Sequence, residues 1–322
     1  MPTKPLAGDV HVNRPLTNFG QKYLQDPAAF VGGIACPRIG VSKKTDLFWE
    51  YNRDDFWRDE VEERAEGAES SGGSFSLSTV PYTAKKYSHH KDVTDDARAN
   101  QDEGINLDEV ATQYVTEKLN IKREVLFASA FMATSIWTTD FSPGTKWDVS
   151  TSAPIAEFQT GKRTVQLSTG KRPNRAVFGR QAYDTIINND DILSRITGGA
   201  TTNLPAMVMR QLLAQILELD SIHVMDAIKT TSTKGAASTT RAFIGSADDV
   251  LLYYAPATLG WGEPTAMARF AWTGLSGMTP DGFRMKRWYM QEIESTRVEG
   301  DFAFVYQKIA ADLGYYINNV TT

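Results

Sequence analysis

Nine carboxylates lie between Glu50 and Glu69 (Glu50, Asp54, Asp55, Asp59, Glu60, Glu62, Glu63, Glu66 and Glu69) against three arginines, Arg53, Arg58 and Arg64, for a net charge of −6. Paired carboxylates perform acid–base or nucleophilic chemistry when a cleft holds them in environments that separate their pKa values. This run instead leads into Ser70-Ser71-Gly72-Gly73, a flexible tip, so it reads as a solvated or partner-facing surface. His89 and His90 are adjacent, and neighbours on a strand point to opposite faces, which suits a bidentate metal site poorly. Gly161-Lys162 and Gly170-Lys171 lack the earlier glycine and the following hydroxyl residue of a phosphate loop. Gly274-Leu275-Ser276-Gly277 is one residue too short for a nucleophile elbow. The reading is of a protein with no catalytic, cofactor-binding or metal-binding residues, and therefore not an enzyme.

A second charge run has the opposite sign. Lys162, Arg163, Lys171, Arg172, Arg175 and Arg180 fall in a stretch without any acid, for a net of +6. Three readings stay open: a solvated basic face, a contact with DNA, or pairing with the acidic stretch of another subunit. Complementary patches steer and register association more than they supply affinity. The candidate intersubunit contacts are Asp59, Glu60, Glu62 and Glu63 on the acidic side, and Lys85, Lys86, Lys162, Arg163, Lys171, Arg172, Arg175 and Arg180 on the basic side.

The elements that must carry these charges follow from spacing. Residues 1 to about 45 are punctuated by Pro2, Pro5, Pro15, Pro27 and Pro37, which forbids a long helix and leaves an extended arm with room for one helical turn around Phe19 to Leu24. Its apolar residues (Phe19, Tyr23, Leu24, Phe30, Val31, Ile34) favour docking over disorder. Alternation at Leu47, Trp49 and Tyr51, and again at Phe75 and Leu77, predicts a two-stranded excursion over residues 47 to about 93. Such a hairpin is marginal in water without a surface to lie on. Asn106-Leu107-Asp108-Glu109 forms a capping arrangement, and the apolar spacing that follows, uninterrupted until Pro143, predicts a helix of about 30 residues, roughly 45 Å long. Helices are predicted from Pro154 to Ser168 with a stop at Gly170, over Gln181–Asn188, followed by a further turn at Asp191–Ile196, and from Pro205 to Leu219. Strands are predicted at Asn174–Phe178, around Ile222–Met225, at Val250–Ala255 as a central strand, around Phe302–Tyr306 and at Leu313–Ile317. Residues 256–282, rich in Gly, Pro and Trp, read as loop.

The chain has 322 residues, a net charge of −5 and a single cysteine, Cys36, so no intrachain disulfide can form and a reducing compartment fits. No apolar run approaches the roughly 20 residues of a membrane span, and residues 1–12 contain no apolar signal core. The balance is that of a globular protein made in a cytoplasm, too acidic for whole-surface DNA binding.

The order of elements resembles the tailed-bacteriophage major capsid proteins of the Hong Kong 97-type fold. The detail is densest in Thr151–Ile196, TSAPIAEFQTGKRTVQLSTGKRPNRAVFGRQAYDTIINNDDILSRI, with a Pro-Ile-led helix, a Thr-Gly-x-x-Pro-Asn turn, an apolar strand ending in Gly and a helix leading to an Ile-Leu-x-Arg-Ile pattern. Asp249–Pro256, DVLLYYAP, and Lys308–Asn319, KIAADLGYYINN, are similar to that family too. The resemblance implies an α+β fold: an N-arm (1–46), an extended E-loop hairpin (47–104), a peripheral domain with a long spine helix (105–150 and 282–322) and a compact α/β axial domain (151–281). It implies a structural subunit that self-assembles as hexamers and pentamers into an icosahedral head in the bacterial host cytoplasm and ends in the virion capsid. The implied partners are other copies of itself, a separate scaffolding protein, a portal and decoration proteins, with weak or indirect contact to packaged double-stranded DNA and none to membrane. No residue here matches the covalent Lys–Asn crosslink of some members. Two alternatives remain: a nanocompartment shell protein of the same fold enclosing a cargo enzyme, and an α/β enzyme with an unrecognised site.

Overall fold

The structure is a computed structural model that describes residues 24–101, 106–197, 210–260 and 262–322. The expected helical turn at Phe19–Leu24, except for Leu24 itself, and the start of the helix expected from Pro205 lie outside these residues; the described part of that helix is Arg210–Ile216. Two five-stranded sheets carry the chain. In the first, β1 (Arg38–Val41) pairs in parallel with β11 (Met267–Trp272), and β11 pairs antiparallel with β13 (Ser295–Lys308). On β13, residues 295–302 are bonded to both β12 (Phe283–Met290) and β4 (Lys85–Thr94). β4 and β12 therefore flank β13 on opposite sides, and β11 and β12 run end to end on the side away from β4, with β1 beyond β11. The second sheet has the order β5 (Thr139–Phe141), β14 (Gly314–Ile317), β10 (Val250–Tyr253), β6 (Arg175–Gly179), β7 (Ser221–Met225). Every residue of β10 is buried, as its unbroken apolar run requires of a central strand.

The long helix runs from Leu107 to Phe131. Asn106 caps it, its side chain accepting from the Glu109 backbone N–H at 3.3 Å, with Asp108 and Glu109 at the positive end of the dipole. It is one turn and more shorter than expected, because Trp137 folds back and its indole N–H donates to the Phe131 carbonyl at 2.9 Å, closing off an orphan acceptor of the last turn. The helix packs Val115 and Leu119 on Phe302 and Phe304 of β13. A side chain at Gly300 would meet Leu119 at 2.6 Å and Val115 at 2.8 Å, so glycine at that strand position lets the helix lie this close. The helix Pro154–Thr169 ends, as expected, at Gly170 in the left-handed conformation, φ 63°.

The segment after the described start of the arm is built into the core. Phe30, Val31, Ala35 and Cys36 are buried with Phe127, Phe131 and the second sheet. Gly32 donates its backbone N–H to Glu124 Oε2 at 2.8 Å and accepts from the Tyr306 hydroxyl at 2.5 Å. Glu124 is fully buried, and its Oε1 has no hydrogen-bond partner. Burial pushes its carboxyl from 4.5 up to about 6 against the opposing backbone hydrogen bonds and Arg123. A raised folded-state pKa means a contribution present in full below the unfolded value and lost as pH rises through about 6. Between pH 4.5 and pH 7 the protein is expected to lose about 2 kcal/mol through this group. Urea unfolding of Glu124→Gln at the two pH values should show that increment missing; an unchanged difference would refute the assignment.

Three expectations are corrected. Residues 85–94 do not continue the hairpin; they form β4 inside the first sheet. Residues 256–282 are not all loop, since β11 is a buried strand. The divisions placed at 150 and 282 cut across both sheets: β1 and β11 belong with β13, whereas β5 and β14 belong with β10. Strand pairing across more than 200 residues of sequence, as Arg38 with Arg269, decides membership, and chain order does not.

Candidate assembly surface

The protruding hairpin is β2 (Thr45–Tyr51) with β3 (Leu77–Thr83). Register and the two-residue period put Phe48, Val80 and Tyr82 on one face and Leu47, Trp49, Tyr51, Leu77 and Pro81 on the other. The first face is anchored on β11. Tyr82 stacks on Phe270 with centroids 4.6 Å apart and planes 3° from parallel, and Phe48 lies 5.6 Å from the same ring. On the second face Leu47 is 57% exposed and Trp49 61%. Ring contacts of this kind add about 0.5–1.5 kcal/mol beyond area burial, so the root is held, while Leu47 and Trp49 of the outer face stay exposed.

Beyond β2 the chain makes the short helix α1 (Arg53–Trp57), capped by Asn52, whose side chain accepts from the Asp54 N–H. Tyr51, Phe56 and Phe75 cluster at 5.6–6.1 Å. Asp55 accepts from the hydroxyl and backbone N–H of Ser76 at 2.7 and 2.8 Å, and these bonds hold its carboxyl below the usual range. The hairpin touches the rest of its own chain through Arg53 to Asp312 at 2.5 Å and through Trp57, which lies over Gly170. Residues Arg58–Thr79 are otherwise exposed. Among the described residues, Glu60 faces Arg58 at 3.9 Å, while Asp59, Glu62 and Glu63 face no cation within bonding reach. Val61, in their midst, is 88% exposed. Acids and bare apolar groups thus share one protruding tip.

The basic run does not form a patch. Lys162 is 2% exposed; it donates to the Leu217 and Glu218 carbonyls, and burial lowers its pKa despite the Glu218 carboxylate 3.5 Å away. It drops out as a surface contact. Arg172 pairs with Glu218. Arg175 donates to the Pro256 carbonyl at 3.3 Å. Arg180 forms a two-pronged pair with Asp184 at 2.6 and 3.0 Å and reaches Asp226 at 3.2 Å. Lys171 sits over the Tyr254 ring, and Arg163 is exposed. Helix, turn and strand scatter these six side chains, and acids remote in sequence neutralise three of them. Lys86 is likewise paired within the chain, with Asp301 at 3.2 Å, whereas Lys85 is exposed on the other face of β4. Lys118 and Lys122, on the long helix beside β4, were not singled out by sequence because no charge run marks them.

Among the described residues no group of three His, Cys, Asp or Glu side chains converges as a metal site, and no helix is long and apolar enough to cross a membrane.

No family model matches the chain. It is similar to the major capsid protein of Burkholderia phage BcepMu, 23% identical over 221 residues that cover 67% of this chain and 69% of that one. Among solved structures it is similar to a phage-related protein from Bordetella bronchiseptica RB50, with a TM-score of 0.68 and 16% identity over 92% of this chain and 94% of that one. The capsid of cyanophage P-SCSP1u matches with a TM-score of 0.54 and 12% identity, covering 98% and 92%. The SrpI encapsulin of Synechococcus elongatus PCC 7942 matches with 0.57 and 11%, covering 96% and 95%.

Proposed function

We propose that this chain, whose α+β fold is that of the tailed-phage major capsid proteins, is a major capsid protein: a structural, non-enzymatic subunit that assembles with copies of itself into the icosahedral head around double-stranded phage DNA. The observation that carries this is the hairpin, rooted by Phe48 and Tyr82 on Phe270 while Leu47 and Trp49 lie exposed and Asp59, Glu62 and Glu63 face no cation among the described residues. A neighbouring copy supplies the missing surface. Heterologous contacts repeated around a rotation axis close into rings, so hexamers and pentamers follow, formed on a separate scaffold in the host cytoplasm and joined by a portal and decoration proteins. Contact with the packaged DNA is weak or indirect.

The similarity to an encapsulin favours a second reading, a nanocompartment around a protein cargo. Electron microscopy of purified particles after nuclease treatment separates the two. Protected double-stranded DNA supports the phage head, and a protein cargo without DNA supports the compartment. Monomers at high concentration with a measurable turnover would sink both.

The triple variant Glu60→Lys, Glu62→Lys, Glu63→Lys is expected to fold normally and to lower the yield of shells, and the wild-type yield is expected to change with salt over the range where the Debye length falls from about 10 Å to about 3 Å. Normal shells from the triple variant would show that the tip acids face only solvent.

A further inference from the structure

The acidic tip requires a basic receptor, and the run at 162–180 does not supply one. A different surface does. Tyr114, Lys118 and Lys122 recur at four-residue spacing on one face of the long helix, and Tyr87 and His89 lie beside them on β4. Lys118 Nζ sits 5.5 Å from the centre of the Tyr114 ring, Lys122 Nζ 5.7 Å from that of Tyr87, and His89 contacts Tyr114 at 5.7 Å. Lys85 falls on the same face of β4 as Tyr87 and His89 by the two-residue period, and is exposed. Among the described residues no carboxylate pairs with Lys85, Lys118 or Lys122. The nearest acid in sequence, Glu117, accepts instead from the Gln25 backbone at 3.4 Å. His89 Nε2 is buried without a hydrogen-bond partner. Burial, His90 and Lys118 all hold the His89 ring below its ordinary pKa, as expected inside a cationic field. Tyr114 itself is 44% exposed. The result is a strip in which ammonium groups alternate with aromatic faces, uncompensated by its own chain.

We propose that this strip, Lys85, Tyr87, His89, Tyr114, Lys118 and Lys122, is the receptor for the acidic hairpin tip of a second copy of the chain. The inference rests on the shell reading above and names the surface that reading leaves open. Charge complementarity selects the occupant. Among the described residues Asp59, Glu62 and Glu63 have no cation partner, and Val61 between them is 88% exposed, matching ammonium groups set among tyrosine faces. Beyond its root on Phe270, the hairpin reaches Asp312 through Arg53 and Gly170 through Trp57, and its tip residues are exposed rather than seated on the strip of its own chain. Complementary charge of this kind fixes register and speeds encounter.

Lys118 and Lys122 are exposed, so Lys118→Glu with Lys122→Glu is expected to leave thermal unfolding unchanged and to cut shell yield by about tenfold. Adding Glu60→Lys and Glu62→Lys to the same chain is expected to restore it, because each copy then carries both halves of a reversed pair. In a separate wild-type background, Glu62→Cys with Lys118→Cys treated with a short bis-maleimide is expected to give covalent ladders from assembled shells. Cys36 is buried and does not compete. Full shell yield from the double lysine variant, or no ladder from intact shells, overturns the proposal. Intact shells that have lost their DNA overturn it as well and give the strip to nucleic acid. If the wild-type chain forms no shells even alongside its scaffold, the shell reading itself fails, which is a separate outcome.

Discussion

Asp301→Ala is expected to cost about 3–5 kcal/mol of folding stability, the range for removing one partner of a buried ionic group. The Asp301 side chain is fully buried in β13. One oxygen accepts from Ser88 Oγ at 2.6 Å, and the other from Arg284 at 2.7 Å, Lys286 at 2.9 Å and Lys86 at 3.2 Å. Burial alone would raise this carboxyl, but the bonds from Ser88, Lys286, Arg284 and Lys86 outweigh it and hold the pKa far below the ordinary carboxylate range. Its contribution is therefore present above the unfolded pKa of about 4 and fades as pH falls further. Those donors come from β4 and β12, the two strands that flank β13, so alanine leaves three cations facing each other across one sheet. Denaturant unfolding at pH 7 measures the loss, and the difference from wild type should narrow at the lowest pH where both fold. A loss under about 1 kcal/mol would mean that solvent reaches the site and screens it.

Phe270→Ala is expected to produce a folded subunit that does not assemble. Truncating a buried phenylalanine costs about 3–5 kcal/mol. Here the ring is shared between β11 and the two hairpin strands, through Tyr82 and Phe48. The hairpin root loses its stack, while the second sheet, which does not touch Phe270, keeps its own core. Trypsin should then cut faster at Lys43 and Lys44, which lie at the root, and shell yield should fall. Unchanged cleavage there, with full assembly, would show that backbone pairing alone holds the hairpin.

What the sequence made legible was local. The Asn106 cap, the Gly170 stop and the run at Val250–Tyr253 each depend on side chains within a few positions of one another, and each stands where its spacing puts it. β11 escaped because Arg269 interrupts its apolar run. That arginine is tolerated in a buried strand by Asp281, twelve residues on, at 3.0 Å, a partner that no window of strand length contains. The basic run misled for the converse reason. Glu218 and Asp226 come from distant segments to neutralise residues that look unopposed in sequence. The hairpin half of the candidate surface was visible because its alternation and its charge lie in one stretch. The cationic strip was not, because half of it is on β4 and half on a helix that begins beyond it.

The attachment of the hairpin has a mechanical consequence. Ser42–Lys44 join it to β1 and Ala84 alone joins it to β4, with the Ala84 N–H bonded to the Lys44 carbonyl at 2.8 Å. Connectors this short leave no free joint, so the projection behaves as a rigid lever clamped to the sheet that also holds the arm through β1. A strand of seven residues reaches about 23 Å, and a tilt of roughly 10° in the sheet would sweep its far end by about 4 Å. Any rearrangement of a shell that twists β13 would therefore move both outlying segments in step, converting a small angular change inside one subunit into a displacement felt by the next.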